Sequence, residues 1–103
     1  MRHAAFAIGQ IIHFRDGNAR GVVVDVDESF RAPVELPEQV RAGLPSPEQP
    51  WYYVLVDGTD DRVYVAEESV QADLDRSPVE HPGIDQFFRR FGNGRYQPQY
   101  SLN

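Results

Sequence analysis

Histidines and carboxylates are the residues of this chain whose types could support catalysis or hold a metal ion. His3, His13 and His81 lie far apart in the sequence, and their spacing matches no metal-binding motif. The acidic group at residues 57–61 contains a glycine, yet it lacks the regularly spaced ligands and the closing glutamate of a calcium loop. We therefore expect these histidines and carboxylates to lie at the surface or to have structural roles, and we expect no metal site.

Nucleophilic catalysis also lacks its usual motifs. The 103-residue chain has no cysteine, which excludes thiolate nucleophiles, thiolate metal ligands and disulfides, and nothing in it requires an oxidising compartment. It contains neither the G-x-S-x-G nucleophile elbow nor a glycine-rich phosphate-binding loop. We therefore expect a protein without catalytic residues, metal or cofactor that acts by recognition.

Two groups of apolar residues are the first candidates for recognition. Trp51, Tyr52 and Tyr53 form the densest aromatic group; such side chains can anchor a peptide, stack on bases or fill a small core. A second group follows Pro82 and Gly83 with the i, i+3, i+4, i+7 spacing of an amphipathic helix: Ile84, Phe87, Phe88 and Phe91. Because so short a helix is unstable alone, its stripe must dock on the chain's own sheet or on a partner. We take both groups as candidate protein-binding residues.

Arginine supplies all ten basic residues, and a few arginines are candidates for contacts with DNA. Arg15 and Arg20 flank the first predicted turn, and Arg62 begins the fourth predicted strand. The net charge of −6 and the pI of about 4.9 oppose this function, because the summed field repels phosphate. Any binding to DNA is therefore expected to be weak and to depend little on salt.

Short strands predict a mostly β fold that must position these residues. Apolar, β-branched segments at residues 8–14, 21–26, 51–56 and 63–66 are separated by glycine-containing turns, which indicates two hairpins. In residues 22–26 the valines alternate as in a strand with one buried face. Residues 51–56 have large side chains on both faces, which predicts a strand in the middle of the sheet. Residues 67–74 predict a helical turn and a closing strand. Such short strands avoid open edges by curling into a small barrel of about five strands.

The remaining segments predict a long connection and a C-terminal extension. Residues 27–50 hold five prolines and predict a proline-rich loop, which is either solvated or an interaction surface. Within it, residues 36–44 predict about two helical turns. We place a barrel domain at residues 1–75 and an extension at 76–103, with a short amphipathic helix and a mobile tail from residue 93. No apolar run approaches the roughly 20 residues of a membrane-spanning helix, and no signal peptide is recognisable, which predicts a cytoplasmic protein.

Four segments in a fixed order give the chain a family resemblance. They read Phe-Ala-Ile-Gly-Gln at residues 6–10, Gly-Val-Val-Val-Asp-Val-Asp at 21–27, Pro-Trp-Tyr-Tyr-Val at 50–54 and Val-Tyr-Val-Ala-Glu-Glu at 63–68. In this order and spacing the chain resembles the heat-shock protein HspQ family, also called the YccV-like or hemimethylated-DNA-binding family, over residues 5–75. The segment after residue 75 matches no motif of that family that we can place.

The resemblance implies an SH3-like barrel, a homotrimer and one of two non-catalytic functions. The first is that of a heat-shock adaptor, a specificity-enhancing factor that brings client proteins to the Lon protease; the exposed loop and tail would raise the effective concentration of the client there. The alternative is binding of hemimethylated DNA near the replication origin through Arg15, Arg20 and Arg62, with the Trp51 strand in a groove. A purely structural oligomer is a third possibility. The acidic charge makes the adaptor our preferred interpretation.

Overall fold

A computed structural model of the chain describes residues 3–31 and 37–98. These residues form seven strands in two sheets, with two short α-helices and one 3-10 turn. In chain order the elements are β1 (Ile11–Phe14), β2 (Arg20–Asp27), α1 (Glu38–Ala42), β3 (Trp51–Val56), β4 (Arg62–Ala66), the 3-10 turn (Glu67–Ser69), β5 (Val70–Ala72), α2 (Ile84–Phe87), β6 (Phe88–Gly92) and β7 (Arg95–Pro98).

The larger sheet is antiparallel and has the strand order β4-β3-β2-β1-β5. It contains both predicted hairpins, β1 with β2 and β3 with β4, and each turn uses a glycine at positive φ, Gly17 at 99° and Gly58 at 77°. The mostly β fold is therefore confirmed. Within the described ranges no ladder joins β4 to β5, so the sheet is open and a closed barrel is not observed.

Both faces of this sheet are buried. One face carries Ile11, Val22, Val24 and Leu55, and the other carries a second cluster: Ile12, Val23, Tyr52, Val54 and Val70. The prediction that β2 buries one face is wrong, because Val23 is as fully buried as Val22. The register of β2 with β3 also shifts between Val23 and Asp25, and this irregularity places Val26 on the side of Val23.

The C-terminal segment differs most from its prediction. The helix α2 ends at Phe87, and Phe88 has the extended dihedral angles φ −129° and ψ 149°, so the amphipathic helix predicted through Phe91 is wrong. Residues 88–98 instead form a hairpin of β6 and β7, which we call the ribbon. Its two-residue turn is Asn93-Gly94, both at positive φ. Asn-Gly is the strongest short signal for such a turn, and it outweighs a helical spacing that aromatic strands can also produce.

The inner face of the ribbon covers one face of the sheet. Phe88, Tyr96 and Val79 belong to the same buried cluster as Ile11 and Leu55. The ring centroids of Phe91 and Tyr96 are 4.6 Å apart. The predicted tail thus contains strand β7, and only its residues 99–103 lie outside the described ranges. The division at residue 75 stays a prediction, although this cluster draws on residues from both sides of it.

The connection from β2 to β3 holds α1, which lies inside the segment where two helical turns were predicted. Its residues 32–36 lie outside the described ranges. Before them, Phe30 packs edge-on against Trp51, with ring centroids 4.9 Å apart. After α1, Gln49 is buried; its amide donates to the carbonyl of Ser46 and accepts from the backbone N–H of Glu68. Over the described ranges, every helix is too short and too polar to cross a membrane.

Candidate functional site

The densest aromatic group lies mainly in the core. Trp51 is 3% exposed and donates its indole N–H to the carbonyl of Ser46, and Tyr52 is fully buried. The Tyr52 hydroxyl donates to Glu67 at 2.7 Å. Burial and that hydrogen bond raise the pKa of Tyr52 to about 12. Trp51 and Tyr52 therefore cannot offer a surface to a partner, because β3 lies between β2 and β4 and is covered on both faces; of the three aromatics, Tyr53 alone is half-exposed.

The predicted apolar stripe is divided between the core and its border. Phe88 is 3% exposed, so it belongs to the core and offers little of its side chain to a partner. The other three residues are half-exposed and pack, together with Tyr53, around the same core cluster. We call these four residues the aromatic rim: Tyr53, Ile84, Phe87 and Phe91. The fold thus brings four of the seven predicted protein-binding residues to one border of the core.

Arg20 belongs to an internal network and is not a candidate for contact with DNA. Its Nε donates to Asp73 at 2.9 Å and its Nη1 to Asp57 at 3.1 Å. Its other N–H groups point at three backbone carbonyls, those of Asp75, Ser77 and Pro78. Burial alone would lower the pKa of Arg20, but the hydrogen bonds and charges of Asp73 and Asp57 outweigh that effect and raise it. We call this network the Arg20 junction; it ties β2 to the segment before α2.

Arg15 and Arg62 are exposed and have different neighbours. Arg15 donates to Gln71 on β5, at one edge of the sheet, whereas Arg62 begins β4 at the opposite edge. The Arg62 guanidinium lies 4.7 Å from the ring centroid of Tyr53 and 5.6 Å from that of Phe87. Arg15, Arg20 and Arg62 therefore have separate partners in the fold, and Arg62 borders the aromatic rim.

The ribbon carries basic residues that sequence reasoning missed. Arg90 pairs with Gln97 and Gly92 with Arg95, while Phe91 pairs with the buried Tyr96. Because side chains alternate along a strand, the residues beside Phe91 and Tyr96 face away from the sheet. Arg89 lies at the irregularity between Phe88 and Arg90 and is exposed. Residues 84–98 hold three arginines and one aspartate, a local charge of +2 in a chain of −6.

These ribbon arginines have no acidic partner among the described residues. Arg89 and Arg90 make no hydrogen bond or ion pair there, and Arg95 has one long contact, 3.4 Å, with the amide oxygen of Gln10. Near the turn, Asp73 and Asp75 line a cavity of about 190 Å³ that they share with Arg95. Asp73 is bonded to Arg20 there, and Asp75 accepts hydrogen bonds from Ser77, which lower its pKa. The outer face of the ribbon therefore carries free guanidinium donors at Arg89 and Arg90, whereas Arg95 lies beside the carboxylates of Asp73 and Asp75.

The pattern that could have revealed this surface is Phe-Arg-Arg-Phe-Gly-Asn-Gly-Arg-Tyr at residues 88–96, in which a hairpin turn separates two strands. The helix predicted through Phe91 concealed that turn.

The histidines have local structural partners. His13 Nε2 lies 3.1 Å from the carbonyl oxygen of Gly17, and His81 Nε2 lies 3.0 Å from that of Asp61. In the described ranges no three histidine or acidic side chains come together as a metal-binding group.

One family model covers both the sheet and most of the ribbon. The model described as hemimethylated DNA-binding protein YccV like matches residues 4–95. The match extends beyond the segments that carried the resemblance and includes α2, β6 and the Asn93-Gly94 turn. Since it covers most of the 103 residues, the chain belongs to the YccV-like family.

Proposed function

We propose that this protein binds duplex DNA without catalysing a reaction and that the outer face of the ribbon is its contact surface. The observation that carries the proposal is the set of Arg89, Arg90 and Arg95, which are exposed on one two-stranded ribbon and have no acidic partner among the described residues. The major groove, roughly 12 Å wide, admits a two-stranded ribbon, and arginines are the usual donors to phosphate. The description of the family model supports a hemimethylated duplex as the ligand.

The charge of the whole chain limits the affinity of this complex. Each ribbon arginine that neutralises one phosphate adds about −0.9 to the slope of log affinity against log salt, so the three arginines set a limit of about −2.7. The remaining residues of the acidic chain repel DNA, so we expect affinity in the micromolar range at physiological salt, comparable to weak sequence-independent binders.

The experiment compares two triple variants with the same change of charge. Arg89→Gln/Arg90→Gln/Arg95→Gln removes the ribbon arginines, and Arg15→Gln/Arg31→Gln/Arg62→Gln removes three exposed arginines elsewhere. Fluorescence anisotropy with unmethylated, hemimethylated and fully methylated duplexes, at several salt concentrations, gives affinities and slopes. We expect the ribbon variant to lose more than about tenfold in affinity and most of the slope, while the control stays within about threefold. Equal losses in both variants would overturn the assignment of the ribbon.

A second candidate function is the heat-shock adaptor for the Lon protease, and the aromatic rim favours it. Tyr53, Phe87 and the stacked Arg62 form a half-exposed apolar surface on an acidic protein, which suits a peptide segment of a client or of the protease. Docking there would raise the effective concentration of the client at the protease. The adaptor hypothesis includes a homotrimer, and sedimentation equilibrium measures that state.

Deleting residues 76–103 cannot test the adaptor, because Val79, Phe88 and Tyr96 would leave the core. A point variant such as Phe87→Ser changes the rim and leaves the ribbon arginines in place. If the rim binds clients, Phe87→Ser lowers stimulation of Lon in a reconstituted degradation assay and leaves DNA affinity unchanged, whereas the ribbon triple variant does the reverse. Unchanged stimulation by Phe87→Ser would remove the rim from the adaptor mechanism.

We also propose that the larger sheet has the SH3-like arrangement. Its support is the strand order, in which β4 and β5 occupy opposite edges although only the 3-10 turn Glu67–Ser69 separates them in the chain. So short a connection requires the sheet to curl until its edges approach. Nuclear Overhauser contacts between β4 and β5 in a labelled sample test this closure.

A further inference from the structure

The outer face of the ribbon carries an amide beside a guanidinium. Arg90 on β6 lies directly opposite Gln97 on β7, and the neighbouring inward pair is Phe91 and Tyr96. Directly opposed residues of an antiparallel pair have Cβ atoms about 4.5–5.5 Å apart, so the two polar side chains are neighbours on one face. Neither side chain makes a hydrogen bond or ion pair with the described residues. Their donors and acceptors are therefore available to a ligand.

This pair has the chemistry of base recognition. Arginine donates two hydrogen bonds to O6 and N7 of guanine, and glutamine forms one bond each with N6 and N7 of adenine, all on the major-groove edge. Arg89 and Arg95 lie on either side of the pair along the ribbon, where they can bond phosphates and hold its position. The inner face cannot compete for the groove, because Phe88 and Tyr96 are buried against the sheet.

We propose that Arg90 and Gln97 read adjacent guanine and adenine bases in the major groove, while Arg89 and Arg95 supply affinity through phosphate contacts. This inference rests on the proposed binding of duplex DNA by the ribbon. In this proposal the Arg90–Gln97 pair determines the preference for a DNA sequence, whereas the charges of Arg89 and Arg95 determine the sequence-independent part of the affinity.

The test begins with selection from a library of duplexes with 12 randomised base pairs, carried out with the full chain. Wild-type protein is expected to enrich sites with adjacent guanine and adenine. Gln97→Ala should retain total binding of the starting library within about twofold and lose the preference for adenine, by about fivefold or more in affinity. Arg90→Ala removes the donors to guanine and should lose the preference for guanine together with part of the charge-driven affinity. Gln86→Ala, an exposed glutamine outside the ribbon, is the matched control and should enrich the wild-type sites.

Base analogues then identify the contacted atom. In the selected duplex, 7-deazaadenine removes the N7 acceptor; it should weaken wild-type binding by about fivefold or more and leave Gln97→Ala unaffected. Circular dichroism melting of each variant shows whether the ribbon is still folded. If wild-type protein retains none of the library, the proposed function itself fails. If wild-type protein and Gln97→Ala bind and enrich the same sites, the ribbon binds DNA but this pair does not read it, and the present inference is overturned.

Discussion

The Arg20 junction and the outer face of the ribbon use the same residue type for different purposes. The side chain of Arg20 is 13% exposed and lies between two carboxylates and three carbonyl groups, which occupy its donors. Arg89 and Arg90 are exposed and have no acidic partner among the described residues. A guanidinium whose donors are satisfied inside the fold stabilises it, whereas one whose donors are free can bind an anion. Sequence position near a turn did not distinguish the two cases.

Removing the guanidinium of the junction should have the largest effect on stability. Arg20→Met leaves Asp57 and Asp73 without their cation, and removing one partner of such a largely buried pair costs about 3 kcal/mol. Urea denaturation monitored by fluorescence measures this loss. Arg15→Met, at an exposed position, should change the free energy of unfolding by less than about 0.5 kcal/mol. A stability loss for Arg20→Met as small as that of Arg15→Met would contradict the structural role of the junction.

A smaller loss is expected where the ribbon meets the segment that follows the junction. The Tyr96 hydroxyl donates to the carbonyl of Val79 at 3.0 Å and accepts from its N–H at 2.9 Å, both in the core. Tyr96→Phe leaves these two backbone groups unsatisfied and should cost about 1–2 kcal/mol in urea denaturation. Tyr53→Phe, a half-exposed tyrosine of the rim, is the control. If both variants are equally stable, the ribbon is not held through Val79.

The stability of the protein at alkaline pH tests the burial of Tyr52 in the larger sheet. The pKa of Tyr52 rises from 10.0 to about 12, mainly because the ring is buried. Between these values the unfolded chain releases a proton that the folded chain keeps, so the free energy of unfolding falls as the pH rises from 10 to 12. Denaturation at pH 9 and pH 11 should therefore show a smaller loss in Tyr52→Phe than in the wild type. A loss that does not depend on this substitution would exclude Tyr52 as its source.

The smallest effect on stability is expected on the outer face of the ribbon. Arg89→Gln/Arg90→Gln/Arg95→Gln removes exposed charges that have no acidic partner among the described residues, so the free energy of unfolding should stay within about 0.5 kcal/mol of the wild type. The same urea denaturation measures it. A loss comparable to that of Arg20→Met would erase the distinction between the two regions and make the ribbon arginines structural.

Local patterns predicted the sheet better than they predicted the ribbon. The glycine-containing turns and β-branched segments indicated both hairpins, because turn chemistry and strand propensity agree there. At residues 84–91 the spacing of Ile84, Phe87 and Phe91 was compatible with a helix as well as with a short turn followed by a strand. Burial of Phe88 and Tyr96 on the sheet, a contact distant in sequence, selected the strand.

The candidate site was predicted in part for the same reason. Tyr53, Ile84, Phe87 and Phe91 do gather at one border of the core, but Trp51, Tyr52 and Phe88 are inside it. Hydrophobic side chains serve a core and an interface equally well, so residue type alone cannot assign them. The arginines show the same limit: Arg20 was a candidate contact with DNA and is an internal cation.

The sequence by itself determined the mostly β character, the two hairpin turns of the larger sheet and the family, because these depend on residues close to one another along the chain. The tertiary structure decided which arginine side chains have their hydrogen-bond donors bonded within the described fold and which do not. Arg20 meets Asp73 across 53 positions, and the ribbon faces outward only because Phe88 and Tyr96 are buried against strands from the first half of the chain. Whether an arginine is paired and whether a side chain is buried depend on which distant segments pack together. Local sequence patterns describe each segment alone and do not contain that information.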